Sequence, residues 1–172
     1  MTLKIICLFL ATIYSALAYN KFINHYIFNW IETNPKVAED YLLNSLSNPE
    51  ASYILGTLYL GGYKGFPQSL KKADYFLTIS ANQNNPAAIS SIGDGYYCGD
   101  IRKKNLKKAL EYYEKAARLG FGPAQFNAGI ILLNTGTAES ELRMAIFWLD
   151  KASKNLDDLG RVTISAKKYK LY

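Results

Sequence analysis

The chain has 172 residues, 49% of them apolar, and a formal charge of +6 carried mostly by lysine. That length holds one ordinary domain or a short array, and an apolar content near half with few prolines excludes a disordered chain. The basic residues are scattered, as in Lys71-Lys72, Arg102-Lys103-Lys104, Lys107-Lys108 and Lys167-Lys168, which reads as solvated helix faces; with no arginine-rich arm and no nucleic-acid motif, no nucleic-acid partner is expected.

Residues 1–18 read as a secretory signal. Lys4 supplies the positive start, Ile5 to Leu17 is an almost unbroken apolar run, and Ala16-Leu17-Ala18 has the small-x-small form of a cleavage site before Tyr19. The alternative is an uncleaved anchor, but a spanning helix needs about 20 apolar residues. The mature chain is therefore expected to be exported, to a bacterial periplasm, the exterior or a eukaryotic secretory pathway, with no stable membrane span. Cys7 is not in a lipoprotein setting, because Lys4-Ile5-Ile6 lacks the small residue that precedes a lipidated cysteine. Loss of Cys7 leaves Cys98 alone, so no intramolecular disulfide can form, and burial as a small hydrophobe is the expected fate of the thiol.

Residues 19–48 read as a degenerate capping helix pair. Phe22, Ile23, Tyr26, Ile27 and Trp30 stripe the first helix; Pro35-Lys36-Val37-Ala38 and Tyr41-Leu42-Leu43 stripe the second. Three clearer units follow, at 49–85, 86–122 and 123–155, with a period of 36–37 residues. Such a period marks a stacked array, in which no unit can bury its apolar face alone. The first helix of each unit opens at Asn48-Pro49, Asn85-Pro86 and Gly122-Pro123. Asparagine is a good N-cap, and proline at the first helical position loses only an amide that had no partner. Ala51, Leu55, Gly56 and Tyr59 recur as Ala88, Ile92, Gly93 and Tyr96, then as Ala124, Ala128, Gly129 and Leu132. That spacing puts all four on one helix face. A mid-helix glycine costs about 1 kcal/mol relative to alanine, so its return at Gly56, Gly93 and Gly129 predicts a close approach of neighbouring backbones. The second helices are expected to open near Ser69, Asn105 and Glu141. Their stripes run Leu70, Ala73, Phe76, Leu77 and Ser80, then Leu106, Ala109, Tyr112, Tyr113 and Ala116, then Leu142, Ala145, Trp148, Leu149 and Ala152. The tail, 156–172, breaks the pattern.

These residues resemble the Sel-one-like repeat (SLR), a relative of tetratricopeptide (TPR) helix pairs with a longer internal loop. Repeat two is the fullest match, with Ile92-Gly93, Tyr96, Gly99, Lys108-Ala109, Tyr112-Tyr113, Lys115-Ala116-Ala117 and Gly120. Repeat three departs, with Leu132 for tyrosine and Ser153 for an alanine. The resemblance spans roughly residues 35–155 and implies an all-α, right-handed solenoid of helix pairs. It implies an adaptor rather than an enzyme. The secreted, cysteine-rich branch of the family staples each repeat with paired cysteines; those are absent here, so neither that framework nor any activity of that branch carries over.

Catalytic and cofactor chemistry is missing from the sequence. His25 and Cys98 lie in different units, and no His, Cys and carboxylate cluster has metal-ligand spacing. Gly93-Asp94-Gly95 lacks the ligand ladder of a calcium loop, and Gly61-Gly62-Tyr63-Lys64-Gly65 lacks the ending of a phosphate loop. No catalytic residue, metal or cofactor is assigned. What remains is a second stripe on each first helix: Tyr53, Thr57 and Leu60; Ser90, Asp94 and Tyr97; Phe126, Ile130 and Leu133. In TPR-like arrays such a stripe points into the concave groove. Tyr53, Thr57, Asp94, Tyr97, Phe126 and Ile130 are the candidate contacts for a segment of another protein. The alternative is that the stripe packs on the neighbouring unit. A different function, binding or weak hydrolysis of glycan or cell-wall material, would use the 14 tyrosines as stacking platforms.

Overall fold

The computed structural model describes residues 27–157. The expected signal segment and cleavage site, Phe22, Ile23, His25, Tyr26 and the tail beyond 157 lie outside the described residues. Within them the chain is helical throughout, with no strand: α1 (27–33), α2 (Pro35–Leu43), α3 (Pro49–Gly61), α4 (Leu70–Asn82), α5 (Pro86–Cys98), α6 (Leu106–Arg118), α7 (Gly122–Thr135) and α8 (Glu139–Asp157). Helices touch mainly their chain neighbours. α3 packs on α4, α5 on α6 and α7 on α8; α4 meets α5, and α6 meets α7, between pairs. That contact order is a solenoid of helix pairs.

Local chemistry sets the helix ends. The Asn48 side chain accepts from the Glu50 amide at 2.9 Å, and Asn85 accepts from Ala87 and Ala88 at 3.0 and 3.2 Å. Ser69 and Asn105 cap α4 and α6 in the same way. Gly62 and Gly99 end α3 and α5 in the left-handed conformation, at φ 69° and 86°. The third pair departs on all three counts. Phe121 precedes α7 and makes no side-chain cap, Gly136 is extended, and the loop shrinks to 136–138. α8 opens at Glu139 rather than near Glu141, because the Glu141 carboxylate reaches back to the Thr137 and Ala138 amides at 2.9 and 3.1 Å and caps the helix from inside.

The glycine register is where each pair closes. A Cβ on Gly56 would meet Leu77 Cγ at 2.7 Å, one on Gly93 would meet Tyr113 Cδ1 at 2.9 Å, and one on Gly129 would meet Leu149 Cγ at 2.7 Å. Beside each contact an alanine of the second helix, Ala73, Ala109 or Ala145, is fully buried. Small residues thus let a large one of the facing helix lie against backbone. Leu55, Leu77 and Ile89 are almost wholly shielded from water, each contributing about 1.5–3 kcal/mol by burial. Two cores result, one from Ile27 to Phe76 and one from Leu77 to Trp148, and they abut within α4.

Three sequence expectations need correction. Leu70 and Leu106, counted in the second-helix stripes, are exposed; each is the first residue of its helix. Cys98 is exposed, not buried: it is the last residue of α5, ahead of the left-handed turn at Gly99, where the helix has left the core. Arg102 is not simply solvated; it pairs with Asp74 of the preceding unit, donates to Thr78 Oγ1 at 3.1 Å and lies over the Tyr96 ring.

Replacing Gly93 by leucine should push α5 from α6. Overpacking of this kind costs about 1–3 kcal/mol, and Tyr113 cannot yield easily because its hydroxyl is held by Asp94. A lowered thermal melt, followed by circular dichroism, is the expected result; an unchanged melt would show that the pair tolerates separation there.

Candidate binding surface

The first helices of the second and third pairs, α5 and α7, border a common recess together with α6. Between them is a cavity of about 350 Å³, lined by Asp94, Tyr97, Tyr113, Phe126, Asn127 and Ile130 among others. The periodicity explains the convergence. Asp94 and Tyr97 are one turn apart on α5, and Phe126 and Ile130 one turn apart on α7, so each helix offers one face to the same space. Tyr97 is 46% exposed, and Phe126 and Ile130 are half-buried.

The polar centre is a pair. Tyr113 reaches forward from α6, and its hydroxyl donates to Asp94 Oδ1 at 2.6 Å. Asp94 is exposed as a residue, yet the partial desolvation of its carboxyl pushes it above its ordinary pKa; the Tyr113 hydrogen bond works the other way, and the Asp100 carboxylate adds to the upward push. Burial, then Asp94 itself, holds the Tyr113 phenol well above the usual tyrosine range. The tyrosine stays neutral and donates.

Four of the six sequence candidates, Asp94, Tyr97, Phe126 and Ile130, therefore share one cavity. Tyr53 and Thr57 do not reach it. Both sit on α3, a unit away. Tyr53 is half-buried against the second core, its phenol raised by burial and by the Glu50 carboxylate. The Thr57 hydroxyl donates to its own helix, to Ile54 O at 2.9 Å. Nor is the stripe open along its length. Ser90 is 4% exposed, and Leu60 and Leu133 pack on the two cores. At these positions the stripe is part of the cores. Tyr113 and Asn127 were not among the candidates. Tyr113 was legible as a departure, since the same register holds Leu77 and Leu149 in the other pairs.

Two other concavities lie among the described residues: an open, apolar one of about 370 Å³ on α8, lined by Ser140, Arg143, Met144 and Phe147, and one next to the α3 cap. The space of about 230 Å³ between α2 and α3 is lined by Asn48 and Glu50, and the Asn48 side chain is already occupied with the α3 cap. Among the described residues no group of His, Cys, Asp and Glu is arranged to hold a metal ion, and no helix is long and apolar enough to cross a membrane.

Asp94→Asn keeps an acceptor for Tyr113 and removes the cost of partly desolvating a charge. The folded-state pKa of Asp94 lies above its unfolded value, so its ionisation works against the fold at pH above that folded pKa. The asparagine variant should melt at or above the wild-type temperature at neutral pH. That advantage should shrink as the pH falls to about 4, where the unfolded carboxyl also protonates. Asp94→Ala, which strips the acceptor, should lose about 1 kcal/mol. Melts across pH measure all three.

A family model described as Sel1 repeat matches residues 49–85, 86–121 and 122–155. Among solved structures, a Sel1 repeat protein from Oxalobacter formigenes superposes with a TM-score of 0.68 at 20% identity, covering 78% of this chain and 56% of that one. A protective antigen present in uropathogenic Escherichia coli strains, displaying an SLR fold, gives a TM-score of 0.62 at 22% identity over 67% of this chain and 25% of its own. In sequence, chitin synthase regulatory factor 3 of Schizosaccharomyces pombe is 26% identical over 108 residues, 62% of this chain and 12% of that protein. The Escherichia coli protein YibG is 40% identical over 63 residues, 35% of this chain and 40% of its own. The chain thus spans less than half the length of either curated relative. With three consecutive matches covering most of a chain whose helices pair and stack as described, the protein belongs to the Sel1 repeat family.

Proposed function

We propose that this chain is an exported, non-enzymatic scaffold that holds a segment of another protein on the concave face of its solenoid, at the cavity between α5 and α7. Sel1 repeats commonly serve as protein-interaction scaffolds. The observation that carries the reading is local: Tyr97 and Phe126 offer aromatic surface to a cavity with a hydrogen-bonded carboxylate at its centre. Exposed aromatic surface around a recess is where a partner gains most by covering it. One relative is named as a regulatory factor of an enzyme, a role that fits a binding module. The export component rests on the Ala16-x-Ala18 site behind its short apolar run.

The glycan reading draws less support, because most tyrosines of the repeat stripe are already engaged. Tyr59 and Tyr113 are buried, Tyr96 stacks on Tyr112 with centroids 5.6 Å apart, and Lys72 lies over the Tyr59 ring.

Two measurements test the proposal. The double variant Tyr97→Ser/Phe126→Ser should keep the wild-type helical melt to within a few degrees and lose the partner that wild type captures in its native compartment. A folded double variant that still binds places the surface elsewhere. For export, N-terminal sequencing of the protein from its native cell should begin at Tyr19; intact Met1 in the cytosol would reject that component.

A further inference from the structure

The charge at the centre of the cavity identifies what kind of side chain can enter it. Asp94 accepts one hydrogen bond, from Tyr113, and among the described residues it has no ion pair. The charge acting most directly on it is another acid, Asp100. On a chain of net charge +6 this is a locally negative recess with no lysine or arginine of its own in it. Its walls are the rings of Tyr97 and Phe126, whose faces attract cations, and Asn127 adds a neutral carbonyl acceptor.

Competing ligands fit worse. An acidic segment would bring like charge against Asp94 and Asp100. A wholly apolar one would cover the carboxylate, exposed in the free chain, without supplying a counter-charge. An amide at position 94 would satisfy the Tyr113 hydroxyl equally well, so the hydrogen bond alone does not call for an acid.

We propose that the Asp94 cavity receives a lysine or arginine side chain presented by the bound polypeptide, its aliphatic stem against Tyr97, Phe126 and Ile130 and its cation on the Asp94 carboxylate. The assignment rests on the reading of this face as a protein-binding surface and adds the chemistry of the anchor.

Selection from a library of random short peptides tests it on the mature chain, run in parallel on wild type, Asp94→Asn and Tyr97→Ser/Phe126→Ser, each confirmed as folded by its melt. Wild type should enrich peptides with one basic residue among apolar neighbours. Replacing that residue by norleucine should weaken binding by about tenfold, a loss of 1.4 kcal/mol. Asp94→Asn should still enrich apolar peptides but show no basic preference, and the double variant should enrich none. If Asp94→Asn selects the same basic peptides, or wild type selects peptides without a basic residue, the anchor assignment falls and the binding face stands. If wild type enriches nothing, the binding face falls and the anchor with it. Acetyl-lysine amide is the control for a free cationic ligand: displacement of the selected peptide at concentrations near the peptide's own Kd would overturn the polypeptide as the source.

Discussion

The array depends on a side chain that is missing. At Gly56, Gly93 and Gly129 the first helix of each pair presents bare backbone, and the second helix fills that space with Leu77, Tyr113 or Leu149. Three mid-helix glycines forgo about 3 kcal/mol of helix propensity. The near-complete burial of Leu77 and Tyr113 offsets a loss of that size. Fully buried alanines beside each glycine narrow the gap further. Helices held this close have little freedom to rotate, so the faces they turn outward are fixed as well. The place of Asp94 and Tyr97 on α5 follows from the place of Gly93.

Between pairs the forces are more polar. Gln83 reaches back to Leu46 O at 2.8 Å and Asn85 reaches Glu50, while inside the first pair Ser80 Oγ donates to Pro49 O at 2.6 Å. In the next joint Gln125 donates to Ala117 O at 3.1 Å and is itself held by Asn155 at 2.7 Å. These bonds satisfy carbonyls near helix ends that the stacked neighbour would otherwise shield from water. The N-terminal joint differs: the loop 62–69 closes over α1 and α2, with Gly65 against Pro35, Tyr63 bonded to Glu32 and Tyr59 bonded to Glu39. Each unit is thus anchored by the one before it, and the second and third pairs inherit a fixed relative placement that holds the cavity open.

The fold was legible because its determinants repeat. Asn48-Pro49, the glycine register and the Ala73, Ala109, Ala145 series each state the same local geometry more than once. The third pair was less legible where it stops repeating. A three-residue loop and an internal cap from Glu141 replace the longer glycine-ended turn, and no periodic signal announces either. The site was legible in half. Helical phase put Asp94, Tyr97, Phe126 and Ile130 on outward faces, but phase alone cannot tell an open stripe from one covered by the neighbouring unit. Ser90 is buried, Tyr53 packs on the second core, and Tyr97 stays exposed. Cys98 shows the same limit. Its residue type favours the interior, and only the end of α5 at the following glycine turns it to solvent.

The departures from the repeat carry the chemistry. After the register glycine come Thr57, Asp94 and Ile130; across from it lie Leu77, Tyr113 and Leu149. Acid and phenol occur together, in the second pair alone. A tyrosine at 113 buries its ring as the leucines bury theirs, but its hydroxyl then needs an acceptor, which Asp94 supplies. Phenylalanine would fill the space without that demand, and asparagine would meet it without a charge. Tyrosine with aspartate instead places a fixed negative charge, with one oxygen tied to Tyr113, on the wall between two aromatic rings. The scaffold needs only an acceptor there, and partial desolvation works against the charged form even though Asp94 itself is exposed. A ligand that brings the opposite charge recovers the cost, and the hydrogen bond to Tyr113 keeps the carboxylate aimed before the ligand arrives.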